Sequence, residues 1–196
     1  MPKIVDHDAR RRAVVDALLT IAHRDGLEAA TSRAIAAELG VATGSLWHYF
    51  PNFDAVLSGA FDAVFERTNA RIAQRTAELS GLEALRAMMT EILPLDETTR
   101  SEARLVVSFW GRVAVLGPAA GAAPSVDGEW RITLLQRLRE AVALGEIAAE
   151  APLEPVVDLL LSVASGQQVE WVTRGSVIEP ERQLALVEAV LSLHRR

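Results

Sequence analysis

The stretch Thr31–Phe50, TSRAIAAELGVATGSLWHYF, decides how the rest of this chain is read. Ile35, Ala36 and Leu39 recur at helical spacing behind Thr31, whose hydroxyl suits an N-cap, and Gly40 supplies the C-terminal stop. A second short helix follows from about Thr43 to Tyr49 and ends before Pro51. With Ile35, Ala36, Leu39, Val41, Leu46 and Phe50 packing inward, the two helices and their glycine-containing turn make a helix-turn-helix. That leaves Thr43, Gly44, Ser45, Trp47, His48 and Tyr49 as a small polar and aromatic surface on a helix short enough to enter a major groove. Arg33, on the preceding helix, can reach a guanine edge or a phosphate.

Working outward, Val14, Leu18, Ile21 and Ala22 predict a helix from Asp8 to about Arg24, closed by Gly26. Asn52 is positioned to cap a long helix from Phe53 toward Leu79. Ser80 and Glu83 have capping-box spacing ahead of a helix through Leu93, which Pro94 stops. Asp96 and Glu97 open a helix to about Leu116, and Gly117–Ser125 (GPAAGAAPS) reads as a loop. Helices over Glu129–Leu144, Glu154–Thr173 and Pro180–His194 complete the chain, the last two separated by Arg174–Glu179. About nine helices and no alternating strand predict an all-α protein.

Half of the 196 residues are apolar and 23% are charged, so the chain can bury a real core and is not a disordered tail. Without cysteine it has no disulfide, no thiolate metal site and no cysteine nucleophile, which fits a reducing cytoplasm. The longest apolar run, Leu105–Val126, is cut by Arg112 and two Gly/Pro clusters, and the N-terminus lacks a hydrophobic signal region, so no membrane association is expected. The net charge is −6, and residues 1–50 carry six basic and six acidic side chains. Any binding to nucleic acid must therefore come from a local arrangement. His7, His23, His48 and His194 are scattered, none completes a Glu-x-x-His pair, and there is no glycine-rich phosphate loop or nucleophile elbow. No catalytic residue, metal site or cofactor is expected.

The run from Arg10 to about Phe65, above all GLEAATSRAIAAELGVATGSLWHYFPNFDAVL, resembles the DNA-binding domain of the tetracycline-repressor (TetR) family through the joint spacing of Gly26, Ala36, Gly40, Val41, Leu46, Tyr49 and Phe50. The resemblance implies a homodimeric repressor that binds double-stranded DNA and is released by a small-molecule effector. It divides the chain into a three-helix DNA-binding domain over residues 1–52 and a helical ligand-binding and dimerisation domain over 53–196. It also implies base and phosphate contacts from Thr43, Gly44 and Trp47 to Tyr49, and a phosphate contact from the Thr31 hydroxyl. Trp47 either packs into its crowded helix or reaches DNA by its edge; Tyr49 braces the domain or touches phosphate. Arg10–Arg12 is a solvated face or meets the DNA backbone. Two positions depart from the family's habit: Ala42 stands where Ser is common, and Phe53 where a phosphate-binding Lys is common. Both losses weaken binding, and the alternative reading is a helical adaptor with weakened DNA affinity.

Further along, LPLDETTRSEARLVVSFWGRVAVLGP (Leu93–Pro118) and LREAVALGEI (Leu138–Ile147) resemble the ligand-binding domain of the choline-responsive BetI-type branch, mostly in scaffold residues. Met88, Met89, Phe109, Trp110, Trp130 and Trp171 are candidates to line an effector pocket, although the same residues at helical spacing also build an ordinary core. A quaternary amine would suit the tryptophan faces with a carboxylate from Glu102, Glu129 or Glu170. Gln167 and Gln168 interrupt an apolar helix, which a pocket or a subunit seam would explain. For dimerisation, Val156, Leu159, Leu160 and Val163 form one stripe, with Ser162, Ser165 and Gly166 permitting close approach, and Leu184, Val187 and Leu191 form another. The competing reading of those stripes is a buried intramolecular face.

Overall fold

A computed structural model describes residues 6–116, 126–174 and 179–194. Among the described residues, eight α-helices run in order: α1 (His7–Asp25), α2 (Ser32–Glu38), α3 (Phe53–Thr76), α4 (Gly81–Ile92), α5 (Glu97–Leu116), α6 (Val126–Ala143), α7 (Leu153–Arg174) and α8 (Pro180–Ser192). Two 3₁₀ segments, Leu27–Ala29 and Thr43–His48, are added to them, and no strand occurs among the described residues. The second of these is the predicted short helix after the turn, tighter than an α-helix. The predicted loop at Gly117–Ser125 and residues 175–178 of the last predicted connection lie outside the described residues.

Turn chemistry accounts for most boundaries. The Thr31 hydroxyl accepts the Ala34 N–H at 3.2 Å, and Asn52 Oδ1 accepts the Ala55 N–H at 2.8 Å, both as predicted. Asp6 caps α1 by accepting the Ala9 N–H at 3.0 Å. The predicted box at Ser80 does not form: Ser80 makes no capping bond. Instead Gly81 takes φ +55°, its N–H donates to Glu140 Oε2 at 3.2 Å, and the Leu82 N–H donates to Glu146 Oε2 at 2.9 Å. A Cβ on Gly81 would stand 2.3 Å from that Glu146 oxygen. The start of α4 is thus closed by carboxylates from α6 and the turn after it, favourable charges at a helix N-terminus. Arg137, through its hydrogen bond, holds the Glu140 carboxyl below the usual carboxylate range. The reciprocal cap forms at α5, where the Thr99 N–H donates to Asp96 Oδ1 at 2.8 Å and the Asp96 N–H donates to Thr99 Oγ1 at 3.1 Å.

The described residues fall into two compact units, one within Met1–Val64 and Arg104–Ala123, the other within Phe65–Ala103 and Pro124–Arg196. In the first, Val14, Leu18 and Ile21 of α1, Ile35 and Ala36 of α2, and Leu46, Phe50, Val56, Leu57 and Phe61 are buried, with Phe109 of α5 stacked on Phe61 at 4.2 Å. In the second, a core is built from Leu82, Leu85, Met88, Met89 and Ile92 of α4, Leu134 and Leu138 of α6, Val156, Val157 and Leu160 of α7, and Val187 and Leu191 of α8. Gln168 and Gln183 are buried there because each donates from Nε2 to a carbonyl of the α4–α5 corner, Ile92 at 2.9 Å and Pro94 at 3.3 Å.

Candidate nucleic-acid interface and helical ligand domain

The turn of the helix-turn-helix closes on Gly40, at φ +64°: its N–H donates to the Ala37 carbonyl and the Val41 N–H to the Ala36 carbonyl. This is the paired bonding of a Schellman stop, and it sets the angle at which the chain enters Thr43–His48. Val41, predicted to pack inward, is 37% exposed because this bonding turns it to the surface, and Leu39 is half-buried. On the 3₁₀ segment, with three residues per turn, Leu46 points into the core while Gly44 and Trp47 share an exposed face. Trp47 is 40% exposed, His48 is exposed, and Thr43, Ser45 and Tyr49 are half-buried. The Ser45 hydroxyl donates to the Ala42 carbonyl at 2.6 Å, so its proton is engaged within the segment, and no side chain caps the start at Ala42. A Cβ at Gly44 would meet nothing within 4 Å, so the protein's own packing does not demand glycine there. Thr31 and Arg33 are exposed on α2. At the far end, the Tyr49 ring meets His7 edge-on at 5.6 Å and the Arg11 guanidinium lies 4.7 Å above the Phe50 ring. The helix predicted from Asp8 starts one residue earlier, at His7, behind Asp6, a good N-cap residue, and the His7–Tyr49 contact has no sign in the sequence.

The candidate ligand residues divide between the units. Phe109 and Trp110 belong to the first, where Phe109 is fully buried in its stack and Trp110 is half-buried. Met88 and Met89 are fully buried in the core of the second, so like Phe109 they fill space rather than border it. Trp130 is half-buried, with its ring 5.3 Å from Phe65 and its Nε1–H donating to Asn69 Oδ1 at 2.8 Å. Trp171, also half-buried, donates to the Arg100 carbonyl at 3.3 Å and carries the Arg100 guanidinium over its ring at 4.8 Å. Gln167 is half-buried, and its Oε1 is a buried acceptor with no donor among the described residues. Two of the three candidate carboxylates are committed, Glu102 to Arg71 at 2.7 and 3.0 Å and Glu170 to Arg174 at 3.1 Å, while Glu129 is exposed; Glu91 takes Arg71 at 2.8 Å and Arg75 at 3.0 Å. Burial works to lower the Arg71 pKa, but the bonds from Glu102 and Glu91 outweigh it and the pKa is raised.

Of the candidate seam, Val156, Leu160, Val187 and Leu191 are buried inside the chain and cannot present a surface. Their stripe faces the core formed with α4 and α6. Val163 and Leu184 are half-buried, whereas Leu159 and Gly166 are exposed. Leu159, Ser162, Gly166 and Val169 follow one another at steps of three and four along α7, all exposed, and Leu186, Ala189 and Leu193 do so at α8 and its C-cap. Among the described residues, no helix is long and apolar enough to cross a membrane and no group of His, Asp or Glu could hold a metal ion.

Comparison with known proteins locates this arrangement. Residues 14–59 match "Bacterial regulatory proteins, tetR family", and residues 81–195 match "BetI-type transcriptional repressor, C-terminal". The transcriptional repressor KstR of Rhodococcus jostii is 30% identical over 169 residues, 85% of this chain and 74% of KstR. The regulator PksA of Bacillus subtilis is 33% identical over 110 residues, which span 56% of this chain and about half, 54%, of PksA. A transcriptional regulator from Saccharomonospora viridis, solved in complex with choline, superposes with a TM-score of 0.82 at 15% identity, over 94% of this chain and 96% of that one, a likeness of fold alone. An N-terminal helix-turn-helix match and a BetI-type match covering more than half of the sequence together mean that the chain belongs to the TetR family of bacterial transcriptional regulators.

Proposed function

We propose that this protein is a homodimeric repressor in the cytoplasm that reads a pseudo-palindromic operator with two copies of Thr43–Tyr49 and releases it when a small molecule binds the helical domain. The observation that carries the reading is the split of the recognition segment: Leu46 and Phe50 are buried, while Gly44, Trp47 and His48 stand exposed without a packing reason. Gly44 gives a DNA backbone room to approach, Arg33 and His48 offer donors to base edges or phosphates, and Thr31 keeps an exposed hydroxyl beside the N-terminus of α2. Thr43, Ser45 and Tyr49 form the rim. Domain 1–52 then reads, and 53–196 senses and dimerises. No catalytic step enters this function.

The exposed stripes Leu159–Ser162–Gly166–Val169 and Leu186–Ala189–Leu193 suit a four-helix seam between two copies, with half-buried Val163 and Leu184 at its margin. Two half-sites must be engaged together, about one helical turn or a multiple apart. An effector that binds better to a dimer with mismatched spacing releases DNA by population shift. We read the effector as uncharged. Arg100 already occupies the Trp171 face that a quaternary amine would need, Glu102 is tied to Arg71, and the open Gln167 acceptor calls for a hydroxyl or amide donor. Trp130 and Trp110 remain as half-buried walls of their respective units. Footprinting on DNA flanking the protein's own gene, repeated with a panel of metabolites, tests the function. A protected palindrome that a neutral metabolite abolishes is the expected result, and absence of sequence-selective protection favours the helical adaptor.

A further inference from the structure

The recognition segment has little intrinsic order. It is six residues of 3₁₀ helix, a form with poor hydrogen-bond geometry that rarely runs long, and no side chain caps its start. Its exit is held by two ring contacts, both to α1: Tyr49 against His7, and Phe50 beneath the Arg11 guanidinium. His7 and Arg11 are four residues apart, so they share one face of α1 and meet two consecutive residues of the exit. The Phe50 ring is itself buried, with Gly59 of α3 beside it, so it is a fixed post to which the segment can be tied. From this geometry we propose that Arg11, assisted by His7, is a positioning residue for base reading: it orients the recognition segment through Phe50 instead of contacting phosphate. The proposal rests on the DNA-reading function above for its consequence, and on the free protein alone for its geometry.

Three variants test it: Arg11→Met, which keeps the stem and loses the charge, Arg11→Lys, which restores a cation over the ring, and His7→Ala. In the free protein, amide exchange at Ser45, Tyr49 and Phe50 is expected to speed up in Arg11→Met and in His7→Ala, and to return toward the wild-type rate in Arg11→Lys. On the operator, Arg11→Met is expected to lose about two- to fivefold in affinity, the size of an exposed cation–π contact. Its affinity for a scrambled duplex, and its slope of log affinity against log salt, are expected to stay at wild-type values. An equal loss on both duplexes with the slope shallower by about 0.9 would make Arg11 a phosphate contact and overturn the proposal. Unchanged amide exchange in both Arg11→Met and His7→Ala overturns it as well. If the wild type itself shows no operator preference, the DNA-reading function fails and the exchange measurement alone decides the clamp.

Discussion

α2 and the segment Thr43–His48 each turn a single apolar face inward, Ile35 and Ala36 on one and Leu46 on the other, and leave outside polar groups and, on the segment, the single ring of Trp47. α7 and α8 carry two apolar faces apiece. On α7, Val156, Val157, Leu160 and Ala164 are buried while Leu159 is 46% exposed, with Ser162, Gly166 and Val169 continuing its line. On α8 and its C-cap, Val187 and Leu191 are buried, and Leu186 and Leu193 are not, Leu193 being 73% exposed. A helix with one apolar face can complete its burial inside its own chain. A second face at the same three-and-four spacing has no use there and asks for another surface.

The sharpest way to break this contrast is to place a charge on each face in turn. Val187→Glu buries an unpartnered carboxylate, which costs several kcal/mol, so we expect loss of helical circular dichroism near room temperature or insoluble protein. Leu159→Glu and Leu186→Glu, on the outer faces, should instead give folded monomers by sedimentation at micromolar concentration, unable to hold an operator. Dimeric Leu159→Glu and Leu186→Glu proteins would remove the second face from the subunit seam.

For the single-faced region the expectation is reversed, function lost with fold intact. Arg33→Ala and His48→Ala should weaken operator binding, by about 1–3 kcal/mol for a bidentate arginine contact, with melting temperatures near wild type. Gly44→Ala belongs with them, since nothing in the protein opposes its methyl group. A parallel fall in melting temperature would show that these side chains serve packing. α4 is a control inside the second unit, because its N-terminus depends on neighbours for its cap. Gly81→Ala forces a positive φ on alanine and pushes Glu146 aside, an expected loss of about 1–2 kcal/mol in chemical denaturation with the dimer retained.

A smaller effect separates the two carboxylates of that cap. The pKa of Glu140 is depressed on folding, so the stability it confers is present above the ordinary carboxylate pKa and is lost as pH falls through the lower, folded value. Glu140→Gln should therefore flatten the acid limb of the stability–pH curve; an unaltered limb would leave the role to Glu146. The smallest effect is on the DNA side, where Phe53→Lys adds a charge at the start of α3. It should steepen the slope of log affinity against log salt by about 0.9 if the position faces the backbone. No change in slope would take that end of α3 out of the interface.

What could be read from sequence was what neighbouring residues decide among themselves. The Thr31 and Asn52 caps, the Gly40 stop and the inward Leu46 all follow from local chemistry within a few positions. Val41 departs from expectation for a local reason, the bonding of its own turn, but the other departures have partners far along the chain. Ser80 lost its cap to Glu140 and Glu146, which lie 59 and 64 residues from the amides they accept. Val156, Leu160, Val187 and Leu191 carry the right periodicity for a seam, but periodicity does not say which apolar face meets its own chain. Gln168 interrupts an apolar helix, and its partner, a carbonyl 76 residues away, has no local sign in the sequence. Of the predicted α7 stripe, Leu159 stays on the outside while Leu160 turns into the core, the two standing about 100° apart around the helix.

The recognition segment has one more consequence, for how readily this regulator could acquire a new target. Because its backbone is fixed by Leu46, by Phe50 and by the turn at Gly40, the exposed positions 44, 47 and 48 contribute little to holding it in place. These positions are open to substitution at small thermodynamic penalty, whereas the same freedom is denied to the residues beneath them. Given the DNA-reading role proposed for these positions, a lineage of such proteins can drift from one operator to another by altering a few surface letters while the scaffold stays the same. The weakness of a six-residue 3₁₀ helix as a structure is then its strength as a rewritable address.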